Sequence, residues 1–314
     1  TTETILVLGA SAVGSLVYTF SDSFWFSAVE AEVYGMSSFF TAIVIWAAFR
    51  WENIEDEATA NRFLIFTAYL VGLSIGVHLL NLVTIPALGL VYYYETAKKI
   101  TWKGGIAAFL VGLVVLGVVN VGVITGFPSL GFTFEKLFVN TFGMPFSSGI
   151  IFFVILLIGG LAYGIFYTQK KSMEIANTAL ISFAFVLIGY SSYTIALIRS
   201  NYNPPINENN PSNVLNYVSY LKREQYGSRP LLYGPVFTGK LESIENGEPI
   251  YKMGKGKYEV YDYKPTYIWG ANSESLLPRM WSTDAGHQQI YRKEMGLNQD
   301  QKPTLFTNIG YMMK

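Results

Sequence analysis

The chain has 314 residues, 51% of them hydrophobic and 14% charged, with a mean hydropathy of +0.31. That is too apolar for a soluble globular chain and right for a polytopic membrane protein with a soluble part. A formal net charge of +0 leaves no basic footprint for nucleic acid, and the lack of cysteine excludes disulfides and thiolate metal sites.

The chain begins at Thr1 and enters an apolar run at Ile5 with no positively charged stretch before it, so this is not a signal peptide. We expect a piece of a longer protein, lacking at least an N-terminal segment. Ile5 to Phe20 forms a first span once its flanks are added, and its small residues Gly9, Ala10, Ser11, Gly14 and Ser15 suit close helix packing. Met36 to Trp51, Phe63 to Leu80 and the shorter Asn81 to Tyr94, broken by Pro86, are the second to fourth spans. Gly105 to Thr125 is the fifth, followed by a loop with Pro128, Phe132, Phe134 and Phe138 on the bilayer surface. Gly149 to Thr168 and Asn177 to Ile198 complete seven.

Alternating spans place Arg50, Arg62, Lys98, Lys99, Lys103, Lys170 and Lys171 on one side and only Lys136 on the other. By the positive-inside rule the first side is cytoplasmic. Ser21–Gly35, the 126–148 loop and everything after Ile198 are then outside.

Ser21–Gly35 (SDSFWFSAVEAEVYG) is the informative stretch. It sets Asp22, Glu30 and Glu32 among Phe24, Trp25, Phe26 and Tyr34. Such aromatic residues favour the membrane interface, and ionisable groups at that depth are costly, which makes them functional candidates. The plainer reading is an interfacial helix with its carboxylates in water. On a helix Glu30 and Glu32 stand about 200° apart, so they do not share one site. Continuing the Met36 helix backwards turns Glu32 toward the bundle and leaves Glu30 facing water or a partner segment. His78 lies 15 residues beyond Phe63, about 22 Å up the third span, with Asn81 just beyond it and Asn120 at a similar height in the fifth. Glu30, Glu32, His78 and Asn120 then converge on the outer leaflet. The alternative for His78 and Asn120 is an ordinary polar contact between helices.

Beyond Arg199 the composition changes. NYNPPINENNPSN (201–213) has three prolines and six asparagines and reads as an extended linker. Ser212 and Asn213 start a short helix through Tyr226, ended by Gly227. Arg229 to Phe237, Pro249 to Met253 and Tyr258 to Tyr263 read as strands. Leu277 to Tyr291 reads as loop; Arg279, Trp281, Asp284 and His287 within it match no catalytic template. The expected architecture is a polytopic α-helical membrane domain of about seven spans (1–198), a linker with a short helix (199–227), and an incomplete α+β extracytoplasmic domain (228–314).

Nucleotide-binding glycine loops and HExxH are absent, and His78 and His287 are too far apart in sequence to suggest a paired zinc site. No predicted span carries a charge at its midplane, which weighs against an ion-coupled pump.

Three runs carry a family resemblance: FWFSAVEAEVYGMSSFFTAIVIWAAFRWE (24–52), GLSIGVHLLNLVTIPAL (72–88) and IRSNYNPPINENNPSNVLNYVSYLKREQYGSRPLLYG (198–234). They resemble a family of large membrane proteins typical of Bacteroidetes, related to an animal protein O-mannosyltransferase that modifies plexin-type receptors. The resemblance implies a GT-C glycosyltransferase fold in a bacterial inner membrane, with the C-terminal domain in the periplasm. It implies transfer of a sugar from a polyprenyl-phosphate donor to a periplasmic protein or glycan, at a site reached by membrane lipid. The family's Asp-Gly-Glu motif is not in this chain and is expected upstream of Thr1. Ala31, Glu32 and Val33 resemble the animal enzyme's second acidic run, which favours Glu32 over Glu30, and His78 sits near a histidine of the relative. The resulting candidates are Glu32, Glu30 and His78 as catalytic groups and Asp22, Trp25, Asn81 and Asn120 as substrate-binding ones. No metal ligands or resident cofactor are assigned; a divalent metal is left open. The competing reading is a non-enzymatic membrane transporter or scaffold component of an envelope or secretion assembly.

Overall fold

The computed structural model describes residues 1–30, 32–227 and 230–314. The chain divides into two compact units, Thr1–Glu135 with Ser147–Leu221 and Lys136–Phe146 with Lys222–Lys314. The predicted boundary at 228 and the predicted strand start at Arg229 lie outside the described residues.

The first unit is helical. Its elements are α1 (Thr2–Thr19), α2 (Asp22–Val29), α3 (Tyr34–Glu52), α4 (Glu57–Ile75), a 3₁₀ turn (Leu79–Val83), α5 (Thr84–Thr96) and α6 (Trp102–Gly117). A π-type segment (Val118–Gly126) leads into α7 (Phe127–Lys136). Then come α8 (Ser148–Lys170), α9 (Glu174–Ser191), α10 (Ile195–Ser200) and α11 (Val214–Leu221). Side-chain caps mark several starts: Asp56 accepts the Thr59 N–H at 2.9 Å ahead of α4, and Thr101 accepts the Gly104 N–H at 3.1 Å ahead of α6.

Among the described residues five helical runs are long and apolar enough to cross a membrane: Thr2–Thr19, Glu57–Ile75, Trp102–Thr141, Ser148–Lys170 and Glu174–Ser200. The bent pair α2 and α3 makes a sixth if it counts as one span. Seven are not reached. The expected fourth span is not among these runs: α5, of 13 residues, continues directly from the Leu79–Val83 turn. Pro86 does not break it. That residue sits in the first turn of α5, where a missing N–H costs no helical bond.

The third helix also ends earlier than expected. The N–H groups of Val77 and His78 both bond to the Ser74 carbonyl, and His78 turns extended at φ −160° and ψ 134°. The predicted surface loop after the fifth span is helical instead. Trp102–Thr141 runs for 40 residues, about 60 Å, so it is longer than one crossing requires. Pro128 is tolerated because it follows the π-type segment, where the regular ladder is already interrupted. Ile124, four residues before Pro128, offers a carbonyl that a proline nitrogen does not satisfy. The Tyr190 hydroxyl donates to that oxygen at 2.9 Å.

The core of this unit joins Phe40, Val44 and Ala47 of α3 to Leu70, Val71 and Ile75 of α4, with Leu82, Ile85, Val119, Val123 and Ile124. Ser37, Phe40, Val44, Ala47 and Ala48 fall on one helical face, and all are buried. Two helix pairs meet at glycines. A Cβ on Gly72 of α4 would lie 2.2 Å from the Val186 carbonyl oxygen of α9. One on Gly189 of α9 would lie 2.5 Å from backbone atoms of Tyr69 and Leu73. One on Gly112 of α6 would lie 2.6 Å from Pro86 Cα of α5. Gly72, Gly189 and Pro86 all lie near the helix ends that surround the Leu79–Val83 turn, so the bundle is pinched at that end.

The asparagine-rich stretch is folded rather than extended. Ser200 donates to Asn207 Oδ1 at 2.8 Å, and the Asn201 amide donates to the Ser212 carbonyl at 3.0 Å. The Asn216 amide donates to the Asn210 carbonyl at 2.9 Å. Short polar side chains here bond to nearby backbone and close turns on themselves.

The second unit pairs β1 (Tyr233–Pro235) with β4 (Glu274–Leu276), and β2 (Leu241–Met253) with β3 (Tyr258–Trp269), both antiparallel. The predicted strands at 249–253 and 258–263 are the turn-proximal halves of the β2–β3 hairpin. Asn140 holds Tyr258 as an edge strand would, accepting its N–H and donating to its carbonyl, each at 2.8 Å. Two helices, α12 (Ala285–Met295) and α13 (Leu305–Met312), pack Tyr291 and Tyr311 with Phe237 and Met280. The predicted loop 277–291 is thus partly helix, with Asp284 as its cap.

Substituting Gly189 by leucine should destabilise the α4–α9 pair by about 1–3 kcal/mol, since backbone must move; unfolding in detergent micelles measures it, and a midpoint equal to wild type refutes the close contact. A second test uses pH. The His287 N–H bond, helped by that of Gly286, holds the Asp284 carboxyl below its ordinary 3.8. A depressed folded value means the cap stabilises above 3.8 and is lost as pH falls through the lower folded value. Acid unfolding of the second unit, followed by near-ultraviolet circular dichroism, should show this loss below about pH 4, and Asp284→Asn should remove that part of the pH dependence.

Candidate functional site

The outer-end candidates lie on two connections. α2 ends at Val29, and the chain turns into α3 close enough that a Cβ on Gly35 would lie 3.2 Å from Ala28 Cα. Glu30 caps α2 in an extended conformation, φ −68° and ψ 148°, and is exposed. Glu32 is an exposed bend residue two positions before α3 begins. Neither glutamate is therefore inside a helix, and the expected backward continuation of α3 through Glu32 does not occur. Ala31, part of the Ala-Glu-Val run, lies outside the described residues.

Tyr34 opens α3, and its ring faces His78 with centroids 5.8 Å apart. Glu32 Cα is within about 7 Å of Tyr34 Cα, the reach of two extended residues. His78 is half-buried and starts the 3₁₀ turn. Its Nδ1 accepts the Leu80 N–H at 3.1 Å. In the neutral ring the proton is therefore on Nε2, which is left as a donor. Val33 gives α3 no side-chain cap, so the first N–H groups of α3 have no side-chain partner from the N-cap.

Asn81 is buried at 3% exposure. Its Oδ1 accepts Ser37 Oγ at 2.6 Å and Thr41 Oγ1 at 3.3 Å, and its amide donates to the Ser74 carbonyl at 3.4 Å. It ties α3 to α4 beneath the Tyr34–His78 pair. Its polar atoms are engaged inside the bundle, so its evident work is to fix the turn that carries His78.

The remaining candidates are more peripheral. Asp22 is exposed in the first turn of α2, and Trp25, also exposed, stacks on Phe20 at 6.0 Å. Asn120 is exposed on the π-type segment while its neighbour Val119 turns into the core. The structure thus brings Tyr34, His78 and Asn81 together with the turn bearing Glu32; it shows no bond from Asn120 to that group. Among the described residues no three histidine, aspartate or glutamate side chains gather as a metal would need.

Sequence reasoning passed over Glu135. This carboxylate is fully buried at 0% exposure. Oε1 accepts the Ser147 N–H at 2.6 Å, and Oε2 accepts those of Gly149 and Ile150 at 3.0 and 3.1 Å. It closes the N-terminus of α8, where the helix dipole favours negative charge. Gly149 is small because Glu135 Cα would lie 2.4 Å from a Cβ there. The signal was available: an acid set among Phe132, Phe134, Leu137 and Phe138 needs buried donors.

Residues 1–101 match the family model described as the Protein O-mannosyl-transferase TMEM260 N-terminal domain, and residues 227–313 match a family of unknown function (DUF8416). No curated protein and no solved structure matches the chain. The resemblance to the animal O-mannosyltransferase therefore holds over the segment that contains Asp22, Trp25, Glu30, Glu32, His78 and Asn81.

Glu135→Ala should cost about 2–4 kcal/mol, because charge-assisted bonds are lost and buried N–H groups are left unpaired. Chemical unfolding in micelles reads this, and a variant as stable as wild type rules out the capping role.

Proposed function

We propose, from the match of residues 1–101 to the N-terminal domain of a protein O-mannosyltransferase family, that this chain is part of a membrane glycosyltransferase. The match is the observation that carries the reading. We further propose a GT-C arrangement in a bacterial inner membrane, with the Glu32–His78 end and the second unit on the periplasmic side. Arg50 near the end of α3 and Arg62 near the start of α4, both away from Tyr34 and His78, support that orientation of the Glu32–His78 end. The sugar comes from a polyprenyl-phosphate donor, whose chain stays in the bilayer. The acceptor is a hydroxyl group, on a protein by analogy with the matched family's description.

Glu32 is assigned as the base. It takes the proton of the acceptor hydroxyl, the hydroxyl oxygen bonds to the anomeric carbon, and the carbon–oxygen bond to the phosphate breaks. The phosphate leaves with the electron pair. His78 supports that departure, since its Nε2–H is available as a donor while Nδ1 is occupied. The N-terminus of α3, which Val33 leaves without a side-chain cap, suits an anion in the same place. Tyr34, against the His78 ring, positions it. Exposure of Glu32 is consistent with a group that must meet a large acceptor. Asp22 and Trp25, on the exposed α2, are placed to touch donor or acceptor from the interface. Glu30 is a second acid on the same turn, and Asn120 remains a substrate contact only if the donor reaches across to it.

The test compares the full-length protein, a deletion and Glu32→Gln at matched expression in the native host, with sugar-modified periplasmic peptides counted by mass spectrometry. Removing a general base lowers rate by about a hundredfold or more, so deletion and Glu32→Gln should lose the same peptides. An unchanged profile in the deletion overturns the transferase reading; full occupancy in Glu32→Gln alone overturns the assignment of the base.

A further inference from the structure

The opposite end of the first unit holds a cavity that the proposed transfer does not use. It has a volume of about 680 Å³, within the range of small-molecule sites, and is walled by α3, α4, α5, α6 and α9. α3 spans the distance between the two places: Tyr34 stands at one end, and Trp51 and Glu52 line the cavity at the other, about 27 Å away.

The wall is mainly apolar, with Leu64, Leu88, Val115, Ile175 and Val186 among its residues. The mouth is not. Glu52, Glu55, Glu57, Glu95 and Glu174 line it, and among the described residues no lysine, arginine or histidine does. All five carboxylates are exposed, and among the described residues none forms an ion pair. One wall group is also unsatisfied: the Ser182 hydroxyl is shut off from solvent without a hydrogen-bond partner. The basic residues of this end stand just outside the lining. Arg50 precedes Glu52, Arg62 follows Glu57, Lys98 and Lys99 follow Glu95, and Lys170 and Lys171 precede Glu174.

We propose that this cavity binds a phospholipid whose head group carries a primary ammonium. An apolar crevice between helices takes an acyl chain. The carboxylate mouth takes the ammonium, which has three N–H donors to share among several acceptors. A lipid without a cationic group leaves the carboxylates unmatched, one with only a negative charge is repelled by them, and a quaternary ammonium supplies charge without donors. The orphan Ser182 hydroxyl marks a polar point in the wall that an ester oxygen would satisfy.

The experiment uses the purified full chain in detergent, with lipid retention read by native mass spectrometry. Phosphatidylethanolamine, phosphatidylcholine and phosphatidylglycerol of identical acyl chains are added at equal concentration. Phosphatidylethanolamine should be retained about tenfold over each of the others, the effect of one charge-assisted hydrogen bond. The combined Glu52→Gln, Glu95→Gln and Glu174→Gln variant should lower its retention to that of phosphatidylcholine. Equal retention of the three lipids by the wild-type chain overturns the proposal without any variant, and so does undiminished preference in the triple variant. Glycopeptide profiles play no part in either outcome, so failure here is distinct from failure of the transferase reading.

Discussion

Backbone contact at glycine is the constraint on which the helical unit rests. Inside a bilayer, helices gain no hydrophobic free energy by leaving lipid for one another, so association relies on close packing. Gly72 and Gly189 let α4 and α9 touch backbone to backbone, and Gly112 does the same for α6 against Pro86 of α5. Larger residues at these points would separate both pairs. The Asn81 bonds to Ser37 and Ser74 sit at the same end and fix α3 to α4. Close approach and buried hydrogen bonding therefore coincide where the chain must hold the half-buried His78 in one place.

The cavity begins beside those contacts: its wall runs from Val71, Ile85 and Val186 next to the close approaches to Leu64 and Ile175. The two ends also differ in what they offer. One presents a histidine N–H and an uncapped helix start, which suit an anion. The other presents carboxylates, which suit a cation.

Much of this was legible in the sequence because apolar runs of membrane length have few alternative meanings. The helices near 5–20, 149–168 and 177–198 lie where hydropathy puts them. What failed did so for local reasons. Pro86 and Pro128 read as interruptions, yet one stands in a first turn and the other behind a π-type segment, and neither position needs the missing N–H. The asparagines at 201–213 read as extended linker because turn closure through side chains has no periodic signature. Asp284 lies in a stretch that reads as loop by its composition; it is the cap of α12. The site was legible in part. Hydropathy and the interfacial aromatics drew attention to Glu32 and His78, but the pairing of Tyr34 with His78 depends on where α4 stops, which the sequence pattern placed five residues too late.

Asn81 and Glu135 show how to weigh polar residues in such a chain. Both are buried and both would rank high as functional candidates on depth alone. Yet the Asn81 oxygen accepts two hydroxyls, and the Glu135 carboxylate accepts three backbone N–H groups. Their hydrogen-bonding capacity is engaged in holding turns and helix starts. Glu32 and His78 are the reverse case: one is exposed, the other keeps a ring N–H available, and both stand on connections rather than within helices. Groups that must meet a substrate need unspent hydrogen-bonding capacity on a backbone that does not move. Asn81 fixes the turn that carries His78, and Glu135 fixes the start of α8.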